Sequence, residues 1–202
     1  MNIPVRLGVL ISGGGTNLQA IMDACAHGVL KSSAVVAAVV SNRPDAFGLE
    51  RARRAGIPAL YADTKKFTSR TEYYASILSE LSGHGVDMVC LAGYLLKIES
   101  NMIDAFAGRM VNIHPGLLPR FGGPGMYGSH VHQAVLDARE TVSGATVHFV
   151  DGEYDNDPII MQGKVPVLPG DTLEILAGRV LAVEHAIYPA AILQVIQGLA
   201  HR

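Results

Sequence analysis

The sequence has no excess of charge of either sign. Its 16 Lys and Arg residues stand against 18 Asp and Glu, a net of −2, and the basic residues are scattered. A nucleic-acid partner would call for a basic patch, so none is expected. Cysteine is scarce: Cys25 and Cys90 lie far apart in apolar contexts. Two such thiols point to core positions in a reducing cytoplasm rather than to a disulfide framework. No apolar run is expected to reach membrane-spanning length, because Asp and Lys are read as interrupting each candidate. The start, Met1-Asn2-Ile3-Pro4-Val5-Arg6, lacks the apolar stretch of a signal peptide. A membrane partner is therefore not expected either. His-Glu-x-x-His and paired Cys-x-x-Cys spacings are missing. The pair His130-x-His132 could share a face if extended, but it gains no further well-spaced ligands, and no metal is expected. Repeats, low-complexity segments and linkers are absent, and 202 residues suit one sizeable domain.

What the chain does have is apolar mass and glycine. Hydrophobic residues make up 49% and charged residues 17%, and the 22 glycines concentrate at loops. That is a well-buried globular protein whose backbone comes close to something at its turns. Val5 to Ile11 reads as a strand ending in Ser12-Gly13-Gly14-Gly15-Thr16-Asn17, and Leu18, Ile21, Met22 and Cys25 then recur at helical spacing. Strand, glycine-rich turn and helix together offer backbone N–H groups and a positive dipole end to an anion. The turn matches neither a Walker loop nor G-x-G-x-x-G, so a mononucleotide or sugar phosphate fits it better. An ordinary helix start would also tolerate this composition.

Ala34 to Val40 is an uninterrupted β-rich run, as in a strand buried on both faces. A basic helix follows from Phe47 to Ala55, with Arg51, Arg53 and Arg54 expected on a solvated face. Ile57 to Tyr61 reads as a short strand. A helix to about Leu81 comes next, with Thr68 or Ser69 as its N-cap. Val86 to Tyr94 reads as another buried strand. Strands alternating with helices predict a doubly wound, mostly parallel sheet, in which ligands gather at the carboxyl ends of the strands. Three clusters fall at such ends: Gly13 to Asn17, Gly93 to Leu96, and Asn112 to Gly116.

The third cluster is the centre of the chain. In Val111-Asn112-Ile113-His114 the apolar and polar residues alternate, so Asn112 and His114 share one face of a strand. Pro115-Gly116 and Leu117-Leu118-Pro119 then turn the chain rigidly. An amide and an imidazole side by side can both donate to an oxygen that gains charge. An isolated Asn-x-His is ordinarily a turn cap and a structural histidine, but a rigid loop is a costly way to place an idle one. After the loop Gly122 to Gly128, a helix is expected from Gln133 to Ala138. Strands are expected over Ala145 to Val150 and Ile159 to Val167, and a helix from Thr172 to about Gln197. Between the two strands Asp151, Glu153, Asp155 and Asp157 crowd one loop. Most belong to a solvated acidic turn, while one could orient the His114 ring.

From end to end these pieces resemble the glycinamide ribonucleotide formyltransferase family, folate-dependent enzymes of purine synthesis. The resemblance rests on Ser12 to Ile21, Ser41-Asn42 with Ala46 to Ala52, and Leu91-Ala92-Gly93-Tyr94. It continues through Asn112-Ile113-His114-Pro115 with Leu117-Leu118-Pro119, Thr146 to Val150, and Glu184-His185-Ala186-Ile187-Tyr188-Pro189. It implies a single-domain α/β formyltransferase fold over 1–202: a Rossmann-like, mostly parallel twisted sheet with helices on both faces. Its phosphate-binding half would span about 1–100 and its catalytic and folate-binding half about 101–202. The co-substrate would be 10-formyltetrahydrofolate, with no metal, and the state monomer or homodimer. Asn112 and His114 would hold the formyl oxygen, with Asp155 assisting proton movement. Gly15, Thr16, Asn17, Gly93, Pro115 and Glu184 would bind glycinamide ribonucleotide. Arg70, Leu95, Leu96, Lys97, Ile98, Val150, Asp151 and again Asn112 and Asp155 would meet the folate. Asn156-Asp157 depart from the family's usual glycine after the aspartate, and Leu96 stands where a basic residue is common. Formyl-folate hydrolases and methionyl-tRNA formyltransferases share the Asn-x-His chemistry but usually carry a further domain, for which this length leaves no room. A silent phosphate-binding module would keep the glycine-rich turn without Asn112, His114 and Asp155 together.

Overall fold

A computed structural model describes residues 3–150 and 158–199. Seven strands form one sheet in the order β3-β2-β1-β4-β5-β6-β7. They are β1 (Val5–Ile11), β2 (Ala34–Ser41), β3 (Ala59–Tyr61), β4 (Met88–Leu91), β5 (Met110–His114), β6 (Val142–Phe149) and β7 (Ile159–Pro166). The first five are parallel, whereas β6 and β7 pair antiparallel to their neighbours. The helices are α1 (Thr16–His27), α2 (Phe47–Arg54), α3 (Arg70–Gly83), α4 (Ser100–Ala105), α5 (Ser129–Asp137) and α6 (Leu173–Leu199). The doubly wound α/β expectation holds, with an antiparallel extension at one edge.

Alternation along the buried strands feeds two cores. Leu7, Val9 and Ile11 of β1 and Met88 and Cys90 of β4 pack with α1, α2, α5 and α6 on one face. Leu10, Val89 and Leu91 pack on the other face with Tyr73, Tyr74 and Ile77 of α3 and Met102 of α4. A strand that serves both cores must be apolar throughout, which is why β2 reads as a continuous run. Each fully buried Leu or Ile contributes roughly 1.5–3 kcal/mol, so these cores fix the sheet. The chain steps outward from β1 to β3, then crosses to β4 on the other side of β1. The switch point of the sheet therefore lies between β1 and β4, and the crevice outside it is where such folds bind ligands.

Several elements are shorter or longer than the sequence suggests. The expected strand from Ile57 narrows to β3, since Pro58 has no N–H to give a ladder; its carbonyl accepts from Val39 instead. The expected run to Tyr94 ends at Leu91, and Gly93 turns out of the sheet with φ +76°. At α3, Ser69 is the N-cap and accepts from the Glu72 N–H, while the Glu72 carboxylate reaches back to Thr68. Both candidates thus take part in one capping arrangement.

The expectation of no membrane-length apolar run does not hold for α6. Its 27 residues contain neither Asp nor Lys, and by length and mean hydropathy the helix could cross a membrane. Leu176, Val180, Tyr188, Ala191 and Ile192 are fully buried against the sheet, so much of this apolar surface is spent on the core. His130 and His132 also differ from expectation. They lie in a helix rather than an extended segment, so the two rings point to roughly opposite sides. His130 is exposed beside Tyr127, while His132 is buried.

Candidate active site

The three clusters predicted at strand ends meet in one cavity of ≈ 730 Å³. Gly13 to Asn17 follow β1, Ala92 to Lys97 follow β4, and Asn112 to Pro115 end β5; α5 and α6 close the sides through His132 and Glu184. Gly15, Thr16, Asn17, Gly93, Pro115, Leu95, Leu96 and Lys97 all line it, with Asn112 and His114. Ile98, Val150 and Arg70 lie outside this lining. Ile98 and Val150 pack into the α3 core, and Arg70 opens α3. Asp151, Glu153, Asp155, Asn156 and Asp157 fall outside the described residues.

The glycine-rich turn is shaped from behind by α2. Gly15 takes the left-handed conformation at φ +70°, and a Cβ on it would stand 2.6 Å from Gly48 Cα. The Gly48 N–H donates to the Gly13 carbonyl at 3.1 Å. Arg51 Nε donates to the Gly14 carbonyl at 2.8 Å, and its Nη1 donates to Gln19 at 3.2 Å. Arg51 therefore does not belong to a solvated face; only Arg53 and Arg54 are fully outward. Among the described residues no side chain caps the start of α1. Ser12 ties this turn to the next one. Its N–H donates to Gly93 at 3.1 Å, and its hydroxyl donates to Asn42 at 2.6 Å while accepting from the Leu95 N–H at 2.9 Å.

Asn17 and Glu184 meet at the cavity wall. Asn17 Nδ2 donates to Glu184 Oε2 at 2.6 Å, and both side chains are buried. Burial pushes the Glu184 carboxyl above its ordinary pKa, with the Asn17 hydrogen bond acting against it. Asn17 thus gives one of its two Nδ2 N–H groups to Glu184 of α6. Its Oδ1 is buried with no partner among the described residues.

On β5, Asn112 and His114 share a face as the alternation requires, while Val111 and Ile113 enter the core opposite. The antiparallel register sets His148 against Asn112 and Thr146 against His114. His148 Nδ1 lies 2.7 Å from the Phe149 carbonyl, which can only accept, so this nitrogen carries the proton. In that neutral tautomer Nε2 accepts, and the Asn112 amide N–H donates to it at 3.0 Å. The Asn112 side chain is thereby held with its NH₂ group toward β6. The His114 ring, 3% exposed, donates from Nε2 to the Phe121 carbonyl at 2.9 Å. His132 is buried in the same cavity, and burial first, then nearby His114, lowers its pKa.

The loop after His114 is clamped from β6 and β7. Thr146, fully buried, donates to the Gly116 carbonyl at 2.6 Å and accepts from the Leu118 N–H at 3.1 Å. Gln162 donates to Thr146 and to the Leu118 carbonyl, both at 2.9 Å. From α6, the buried Tyr188 hydroxyl is shared between the Leu91 and Val111 carbonyls at 2.9 and 3.2 Å. The segment Glu184 to Tyr188 thus sends one side chain to the cavity and another to the strands beneath it. Sequence reasoning assigned no role to Thr146, His148, Gln162, Arg51 or Tyr188. A signal existed for the first two: alternation in β6 puts them on the face away from Ala145 and Val147, as it does Asn112 and His114 in β5.

Comparison with known proteins agrees with this geometry. A family model described as formyl transferase matches residues 5–192. The phosphoribosylglycinamide formyltransferase of Escherichia coli (strain K12) is 45% identical over 91% of this chain and 84% of its own length. A trifunctional purine biosynthetic protein of Drosophila melanogaster is 43% identical over 96% of this chain, which spans only 14% of that protein. The crystal structure of glycinamide ribonucleotide transformylase 1 from Symbiobacterium toebii superposes with a TM-score of 0.91. It is 48% identical and covers 98% of this chain and 92% of its own. With a match that runs from β1 into α6 and takes in every loop of the cavity, the chain belongs to the formyl transferase family, among its phosphoribosylglycinamide formyltransferases.

Proposed function

We propose that this protein transfers the formyl group of 10-formyltetrahydrofolate to the amine of glycinamide ribonucleotide, in purine biosynthesis. The observation that carries this reading is the meeting of an anion-suited turn with Asn112 and His114 across one cavity. A phosphate on Gly13 to Asn17 anchors the ribonucleotide and directs its amine toward β5. The unprotonated amine attacks the formyl carbon, and the carbonyl oxygen becomes an oxyanion. Asn112 spends one amide N–H on His148 and keeps the second for that oxygen. The oxyanion takes the place of the Phe121 carbonyl on the His114 ring N–H. The amine proton leaves, the bond from the formyl carbon to N10 breaks, and N10 receives a proton. Asp155 assists that transfer in the family resemblance. Leu95, Leu96 and Lys97 line the side on which the folate lies, and the same reading gives it Arg70, Ile98, Val150 and Asp151.

The remaining parts of the reading follow from it. Residues 1–202 act as one formyltransferase domain, its first half holding phosphate and its second half the chemistry and folate. The partners are small molecules, with the chain as monomer or homodimer. Cys25 and Cys90 are free thiols, which supports a reducing, cytoplasmic setting; the relative from Arabidopsis thaliana carries a chloroplastic designation.

The test is spectroscopic loss of the formyl group from 10-formyltetrahydrofolate, with and without glycinamide ribonucleotide. Loss that requires the ribonucleotide and disappears in His114→Ala supports transfer. Equal loss without it would indicate a hydrolase, and no loss in either condition would leave a binding protein.

A further inference from the structure

We infer that Arg51 is a positioning residue for phosphate: from the back of the glycine-rich turn it sets the backbone donors that face the cavity. The inference rests on the reading of Gly13 to Asn17 as the phosphate cradle. In a trans peptide the C=O and N–H point in opposite directions. The carbonyls of Gly13 and Gly14 are both drawn toward α2, one by the Gly48 N–H at 3.1 Å and the other by Arg51 Nε at 2.8 Å. The N–H groups of the same two peptide planes, those of Gly14 and Gly15, are therefore turned away from α2, toward the cavity that Gly13 to Asn17 line. A glycine turn without side chains has few other means of choosing between this orientation and its reverse.

Arg51 is itself held in place. Its Nη1 is fixed by Gln19 of α1 at 3.2 Å, and its guanidinium lies over the Phe47 ring at 5.0 Å. A planar guanidinium that bonds the turn with one nitrogen and α1 with another locks the turn to the start of that helix. It also adds a positive charge behind a cradle whose cavity, among the described residues, has Lys97 as its one lining lysine or arginine. The neighbouring Gly48 belongs to the same device. A Cβ there would run into Ile11 Cδ1 and stand 3.2 Å from Gly15 Cα, so a larger residue would press α2 away from the turn that Arg51 reaches.

The experiment compares Arg51→Met, Arg51→Lys, Arg54→Met and Thr16→Val as purified full-length proteins. Steady-state kinetics give kcat and the KM for each substrate, inorganic phosphate serves as competitor against the ribonucleotide, and thermal melting reports folding. Arg51→Met is expected to raise the ribonucleotide KM and the phosphate inhibition constant at least about tenfold. Its formyl-folate KM and kcat should stay within about twofold of the parent. Arg51→Lys, which can still donate to Gly14, should recover most of the loss. Arg54→Met removes an exposed charge from the same helix and should change neither KM. A general loss of folding would instead lower kcat and both affinities together and be restored poorly by lysine; that pattern, or an unchanged ribonucleotide KM in Arg51→Met, overturns the inference. Thr16→Val tests the cradle itself. If it raises the ribonucleotide KM while Arg51→Met does not, only the role of Arg51 falls; if neither raises it, the phosphate reading falls with it.

Discussion

Thr146→Val offers the sharpest test of how the His114 loop is held. Valine keeps the branched shape and fills the same fully buried site, so no cavity is created. What disappears is one hydroxyl that donates to Gly116 and accepts from Leu118 and Gln162. Gln162 keeps the Leu118 carbonyl as a partner. The Gly116 carbonyl and the Leu118 N–H are left facing a methyl group. A buried backbone group stranded in this way costs about 1–3 kcal/mol, and partial relaxation of the loop puts the sum at roughly 2–4 kcal/mol. For a chain of this size that corresponds to a drop of roughly 5–15 °C in melting temperature. Relaxation would also move Pro115 and Gly116, which follow His114 directly, so kcat should fall more than either KM. Thermal and urea unfolding measure the first effect, and steady-state kinetics well below the melting temperature measure the second. Thr146→Ser, which keeps the hydroxyl, should restore most of both. A Thr146→Val protein with parental melting temperature and kcat would refute the clamp.

Three other outcomes follow from the site. His114→Ala and Asn112→Ala should each lower kcat by about 10²–10³-fold, the usual cost of one oxyanion donor; turnover near the parental value in either would remove it from that role. Glu184→Gln should raise stability at neutral pH. The raised carboxyl pKa means that the folded state favours the protonated form, so the parent loses stability as pH climbs from the unfolded value near 4.5 through the folded one. Melting curves of the two proteins should therefore converge as pH falls below that window, and a gap independent of pH would contradict the argument. Burial pushes the Cys25 thiol up to about 11 and raises Cys90 further, so both should react slowly with a thiol reagent at pH 7.5 and quickly in denaturant. A fast-reacting thiol in the folded protein would show that one of these sites is open.

Much of the architecture was determined by the sequence alone. Continuous apolar runs rich in β-branched residues, such as Ala34 to Val40, bounded by turn residues, read as strands packed on both faces, and their alternation with helical periods points to a doubly wound sheet. The three ligand-side clusters were legible for the same reason, since glycine, proline and polar residues at strand ends have no place in a core. Alternation also placed Asn112 and His114 on one face before any contact was known. The tertiary structure decided which distant residues serve them. Arg51 looks like any surface arginine on a basic helix until Gly48 and Gly15 bring that helix against the turn. Thr146 and His148 acquire partners only through the antiparallel register of β5 with β6, which lies outside local sequence. The apolar character of α6 was likewise ambiguous in isolation, since length and hydropathy are the same for a core helix and a membrane span. Periodicity is a local property and survives in one dimension. The partner of a hydrogen bond is set by how sheets and helices pack, and that is fixed only when the whole chain has folded.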